Sequence, residues 1–88
     1  MGQKFPKVLK YRKVFKAFKK AGFNIVSQSG SHVKLKKKIN EKDKTIIIPR
    51  YHELDRDLIL LILKEAEITK EEFMKLLGWL ELLSHLQH

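Results

Sequence analysis

One histidine in this sequence stands where it could move a proton beside fixed positive charge. The stretch Gly30-Ser31-His32-Val33-Lys34-Leu35-Lys36-Lys37-Lys38 reads as a tight turn opening a basic strand, with the imidazole first. Val33 and Leu35 alternate with His32, Lys34 and Lys36, the period of a half-buried strand. The two apolar residues then face a core, and His32, Lys34 and Lys36 form a row on the wet face. An imidazole exchanges a proton near neutral pH, and neighbouring ammonium groups can hold a phosphate against it. A solvated lysine strand with an incidental histidine has the same composition, so the residues alone leave both readings open.

The elements around this stretch must hold it in place. Lys7 to Lys20 predicts an amphipathic helix, with Tyr11, Val14, Phe15 and Phe18 on one stripe. Lys16 and Lys19 fall off that stripe and become candidates for binding an anion only if their face adjoins the basic strand. Gly22 ends the helix in the left-handed position. Phe23 to Gln28 predicts a first strand, joined to the His32 strand by the turn Ser29-Gly30-Ser31. Asn40 to Lys44 reads as a polar loop, and Thr45-Ile46-Ile47-Ile48 as a third strand stopped by Pro49. Its unbroken apolar run suits a strand covered on both sides or one with blurred alternation. A second helix begins near Asp55 or Asp57, with Ile59, Ile62, Leu63 and Ala66 as its core face; Leu60 and Leu61 are surplus to that face. Thr69 to Glu72 is a capping box, with Ile68 and Phe73 as its hydrophobic staple, and opens a third helix.

The 88 residues suffice for one small domain, with a core at about 7–77 and a helical extension at 78–88. Having no cysteine, the chain has no disulfide, thiolate ligand or cysteine nucleophile. Its four histidines show no zinc-site spacing, so neither a metal nor a cofactor is expected. With neither a signal-peptide pattern nor a run of transmembrane length, the expectation is a soluble, cytoplasmic protein without a membrane partner. Residues 1–50 hold 15 Lys/Arg against 2 Asp/Glu, and residues 51–88 hold 4 against 8. The halves thus carry +13 and −4, giving the chain's +9, and the asymmetry points to a polyanion met by the N-terminal half.

The order of elements and several of their residues resemble the HicA (YcfA-like) toxin family, over about Leu9 to Leu77. The resemblance rests on Ala21-Gly22-Phe23 entering the first strand and on Gly30-Ser31-His32 opening the second. It continues through the strand ending at Pro49, Glu53-Leu54, and the helix ending Ile62-Leu63-Lys64-Glu65-Ala66. It implies an α+β, α-β-β-β-α fold like the double-stranded-RNA-binding domain, a three-stranded antiparallel sheet with helices on one face, here with a C-terminal helical extension. It also implies an mRNA interferase with His32 as its catalytic residue, and a HicB-type antitoxin as partner. The sequence departs from the family where Tyr51 stands at a frequent histidine position and His52 is displaced by one; no role is carried onto His52. Asp57-Leu58 replace a common Gly-Thr, Leu60 and Leu61 replace polar residues, and the tail runs past the usual end.

Three functions follow as expectations. As a metal-independent endoribonuclease, the chain would use His32 for proton transfer and bind RNA through Gly30, Ser31, Lys34, Lys36, Lys16 and Lys19. As a non-catalytic RNA-binding module, it would use the same face with His32 only a hydrogen-bonding group. As an interaction protein, it would work through its apolar C-terminal helices. Trp79, Leu82, Leu83 and Leu86 make a second apolar stripe after Gly78. It is expected to pair with a second copy or dock a partner, ahead of folding back over Leu60 and Leu61.

Overall fold

Each half of the His32 strand's alternation finds its place in a computed structural model that describes residues 5–86, with side chains through Gly78. The elements run β1 (Val8–Lys10), α1 (Tyr11–Lys20), β2 (Asn24–Ser29), β3 (His32–Ile39), β4 (Lys42–Pro49), β5 (Glu53–Asp55), α2 (Arg56–Ala66) and α3 (Lys70–Leu86). Strands β2, β3 and β4 form an antiparallel meander in that order, and β1 pairs antiparallel with β5 in a separate two-stranded sheet. This is the α+β architecture expected from the sequence. Val33 opposes Ile48 and Leu35 opposes Ile46, and all four are buried. They share one core with Val14, Ala17 and Phe18 of α1, Leu54 of β5, Ile59, Ile62, Leu63 and Ala66 of α2, and Phe73 and Leu77 of α3. The helices therefore cover one face of the meander and leave the other to solvent.

The helix ends are closed by local chemistry. Gly22 has φ +105°, and behind it the Phe23 N–H donates to Phe18 O at 3.1 Å and the Gly22 N–H to Lys19 O at 3.0 Å. These are the two bonds of a Schellman motif, whose customary apolar contact is the Phe18–Phe23 edge-on ring pair at 5.8 Å. Asp55 caps α2, accepting from the Leu58 N–H at 2.9 Å. In the capping box at α3, Thr69 Oγ1 accepts from the Glu72 N–H at 3.0 Å and Glu72 Oε1 from the Thr69 N–H at 3.2 Å.

The structure corrects two expectations and decides a third. The first helix starts at Tyr11, because residues 8–10 pair with residues 53–55. Residues 40–44 are not a loop: Asn40 and Glu41, at φ +50° and +67°, make a two-residue turn between the pair Ile39 and Lys42, so β4 begins three residues early. Two successive left-handed residues define a type I′ hairpin turn, whose twist suits the flanking strands. β4 is covered on one side only, since Ile46 and Ile48 are buried while Ile47 is 52% exposed. The segment from Gly78 to Leu86 continues α3 as the same helix. The apolar stripe expected on the tail, and hence its pairing, lies outside the residues whose side chains are described. Of the surplus leucines, Leu60 packs partly against the core and Leu61 is 56% exposed.

Candidate RNA-processing face

His32 is placed by a two-residue turn. Ser29 and His32 pair across it, and Gly30, at φ +57°, takes its first position, where a type II′ turn favours glycine. The middle strand then gives His32 a partner on each side, Ser29 of β2 and Pro49 of β4. The imidazole is exposed, and its Nδ1 lies 3.4 Å from Ser31 Oγ. A contact through Nδ1 leaves Nε2 as the nitrogen that faces an incoming group.

Below His32 on the same solvent face come Lys34 and Lys36, both exposed. Lys34 is flanked by Ser27 and Ile47, and Lys36 by Asn24 and Thr45. The Lys36 ammonium lies 3.9 Å from Asp43 Oδ2, an exposed pair of small energetic weight. A β-bulge leaves Val26 between the pairs Ile25–Leu35 and Ser27–Lys34, and Val26 is half exposed beside this row. The expected row of His32, Lys34 and Lys36 is thus one continuous surface.

Lys16 and Lys19 do not join it. They are exposed on α1, whose buried residues Val14, Ala17 and Phe18 face the sheet, so these lysines point away from the meander on its helical side. Lys37 takes no part in the row either. Its stem lies on the core side, and its Nζ donates to Ala21 O at 2.6 Å at the end of α1.

The structure adds a basic cleft that the pattern of the sequence does not single out. Lys10, Arg12 and Lys13 at the start of α1 face Arg50, Tyr51 and His52 across a cavity of about 450 Å³, with Tyr11 at its wall. The Tyr11 N–H donates to His52 O at 3.1 Å, tying the two walls together. Burial pushes the Tyr11 phenol above its ordinary value near 10, against the lowering influence of the Arg50 charge. The one available signal was the arginine and tyrosine immediately after the strand-ending Pro49.

A meander sheet with helices on one face and a basic, histidine-bearing row on the other defines a small α+β protein of the double-stranded-RNA-binding-domain type. The family model for the HicA toxin of bacterial toxin–antitoxin systems matches residues 11–68, well over half of the chain, and the chain belongs to that family. No curated protein and no solved structure matches it. A toxin of this family is generally a ribonuclease and has an antitoxin as its partner. Among the described residues no helix is long and apolar enough to cross a membrane.

Proposed function

We propose that this protein is a metal-independent endoribonuclease that cleaves mRNA in the cytoplasm, with His32 as its catalytic residue and a HicB-type antitoxin covering the open face of the sheet. The observation that carries the reading is the exposed rung on which His32 stands, held between Ser29 and Pro49 and followed on the same face by Lys34 and Lys36. His32 Nε2 takes the proton of an RNA 2′-hydroxyl, and the 2′-oxygen attacks the adjacent phosphorus. The bond from phosphorus to the 5′-oxygen breaks, and the imidazolium returns its proton to that oxygen. The products are a 2′,3′-cyclic phosphate and a free 5′-hydroxyl. Lys34 and Lys36 stabilise the negative charge that builds on the phosphate oxygens. Ser31 orients the ring through Nδ1, and Gly30 lets the backbone turn without a side chain in the path of the RNA. Lys16 and Lys19 contact only an RNA long enough to reach the helical side.

With one imidazole serving as base and then acid, turnover is modest. DNA lacks the attacking hydroxyl and stays intact. The test is incubation of single-stranded RNA with the protein and with His32→Ala in the presence of EDTA. The expected result is cyclic-phosphate products from the parent and none from the variant. RNA that is bound equally by both and cut by neither would make the protein an RNA-binding module instead.

A further inference from the structure

The cleft between the start of α1 and residues 50–52 lies outside the His32 row. We propose that it is a second RNA subsite, taking one nucleotide with its phosphate among Arg12, Lys10 and Arg50 and its base against the ring of Tyr51. The inference rests on the reading of RNA as the ligand and names where a strand goes after it passes His32.

The chemistry of the lining points to a nucleotide. Four basic side chains, Lys10, Arg12, Lys13 and Arg50, come from two separate segments, and no carboxylate lines the cavity. Such a concentration of one sign around a concave surface attracts a phosphate more strongly than the same charges spread over a convex one. Arginine adds a planar fork of donors suited to phosphate oxygens. Tyr51 is 53% exposed and contributes nothing to the core, so its ring is available to a base. An aromatic ring beside cations is the combination by which single-stranded nucleic acid is held without regard to sequence. The Tyr11 phenol offers a hydroxyl at the wall. The first N–H of α1 is already used by His52 O, so the side chains supply the cations of the cleft.

Position links the cleft to the chemistry. The Arg50 N–H donates to Ser31 O, in the residue before His32, and Pro49 is the register partner of His32. Arg50 Nη1 reaches back to Gln28 Oε1 at 3.4 Å, and Gln28 pairs with the core residue Val33, so this guanidinium lies toward the helical side. A strand crossing the open face past His32 and bending over the end of the sheet therefore arrives in the cleft.

The test uses the full chain with His32→Ala, so that RNA is bound but not cut, and a labelled single-stranded oligoribonucleotide of about eight residues read by fluorescence anisotropy. Tyr51→Ala should weaken binding about tenfold at unchanged salt slope, and Tyr51→Phe should restore it. Arg12→Gln should lower the magnitude of the log–log salt slope by about 0.7, the value for one phosphate contact on a single strand. An abasic residue at one position of the oligonucleotide should weaken binding to the parent and leave binding to Tyr51→Ala unaffected. Thermal melting of each variant confirms the fold. If Tyr51→Ala and Arg12→Gln bind RNA as the parent does while Lys34→Gln/Lys36→Gln binds weakly, the cleft is not a subsite and the RNA reading stands. If no protein binds RNA, both fall. If purified antitoxin loses affinity for Tyr51→Ala while RNA does not, the cleft belongs to a protein partner and the proposal is overturned.

Discussion

Lys37 Nζ lies 2.6 Å from the carbonyl oxygen of Ala21, so a lysine of the central strand closes the C-terminal end of the first helix. The same ammonium stands 5.9 Å from the Phe23 ring centre. A cation is favoured at a helix C-terminus, where unpaired carbonyls concentrate negative charge. Lys37→Met keeps the stem and removes the donor. It should cost about 1 kcal/mol, read as a lower urea midpoint, whereas Lys38→Met on the exposed side should leave the midpoint unchanged.

The Asn40–Glu41 turn holds a non-glycine residue at φ +67°. Left-handed backbone costs such a residue about 1–2 kcal/mol, partly offset by the entropy glycine loses on folding. Glu41→Gly should therefore stabilise the protein by about 0.5–1 kcal/mol, seen as a higher urea midpoint at unchanged slope. A fall in stability would show that the turn is not the favoured I′ form.

Phe73 is fully buried, with ring centres of Phe18 and Phe5 at 5.7 and 6.1 Å. Truncation to alanine should cost about 3–5 kcal/mol, a large share of the stability of a domain this small. Circular dichroism should show Phe73→Ala largely unfolded well below the melting temperature of the parent.

Burial raises the Tyr11 phenol in the folded chain. The unfolded chain then loses its phenolic proton first as pH rises, so it binds fewer protons than the native state and stability falls. The contribution is fully present below the unfolded value near 10 and is lost above it. Urea midpoints from pH 8 to 11 should drop more steeply for the parent than for Tyr11→Phe. Parallel curves would mean that the phenol is equally solvated in both states.

If the open face holds RNA through Lys34 and Lys36 together with a few neighbouring cations, about four phosphate contacts give a log–log salt slope near −3 on single strands. Lys34→Gln/Lys36→Gln should flatten it by about 1.4 and weaken unrelated RNA sequences alike. A parental slope near zero would separate the basic face from any polyanion.

Much of the architecture could be read in advance because local rules agree with the final packing. The core face of α2, the capping box at Thr69, the Gly22 helix end and the Gly30 turn each depend on residues a few positions apart. What escaped depends on distant partners. Three residues at Val8–Lys10 carry no strand signal of their own and are extended because β5 lies opposite them. Asn40-Glu41 looked like the start of a long loop because glutamate rarely takes a left-handed conformation. Of the candidate site, the His32 row followed from alternation alone. The separation of Lys16 and Lys19 from it did not, since helical periodicity says which residues share a face but not where that face looks. The cleft was hidden for a similar reason: its walls are about 40 positions apart in the chain.

The β1–β5 pairing has a consequence for the order in which the molecule is built. The two hairpins of the meander close through turns of two residues each, a short search for the chain. By contrast, the Arg56 N–H donates to Lys7 O at 2.8 Å and the Arg56 guanidinium to Phe5 O at 3.1 Å, joining segments some 50 positions apart. Contacts of such long sequence separation are slow to form because chain entropy is lost before they contribute. Residues 32–36 can thus find their register early, while the cleft at Tyr11 and His52 waits for the last closure. During synthesis, that closure cannot begin until residue 56 has left the ribosome, whereas the strand partners of His32 are complete once Pro49 has emerged.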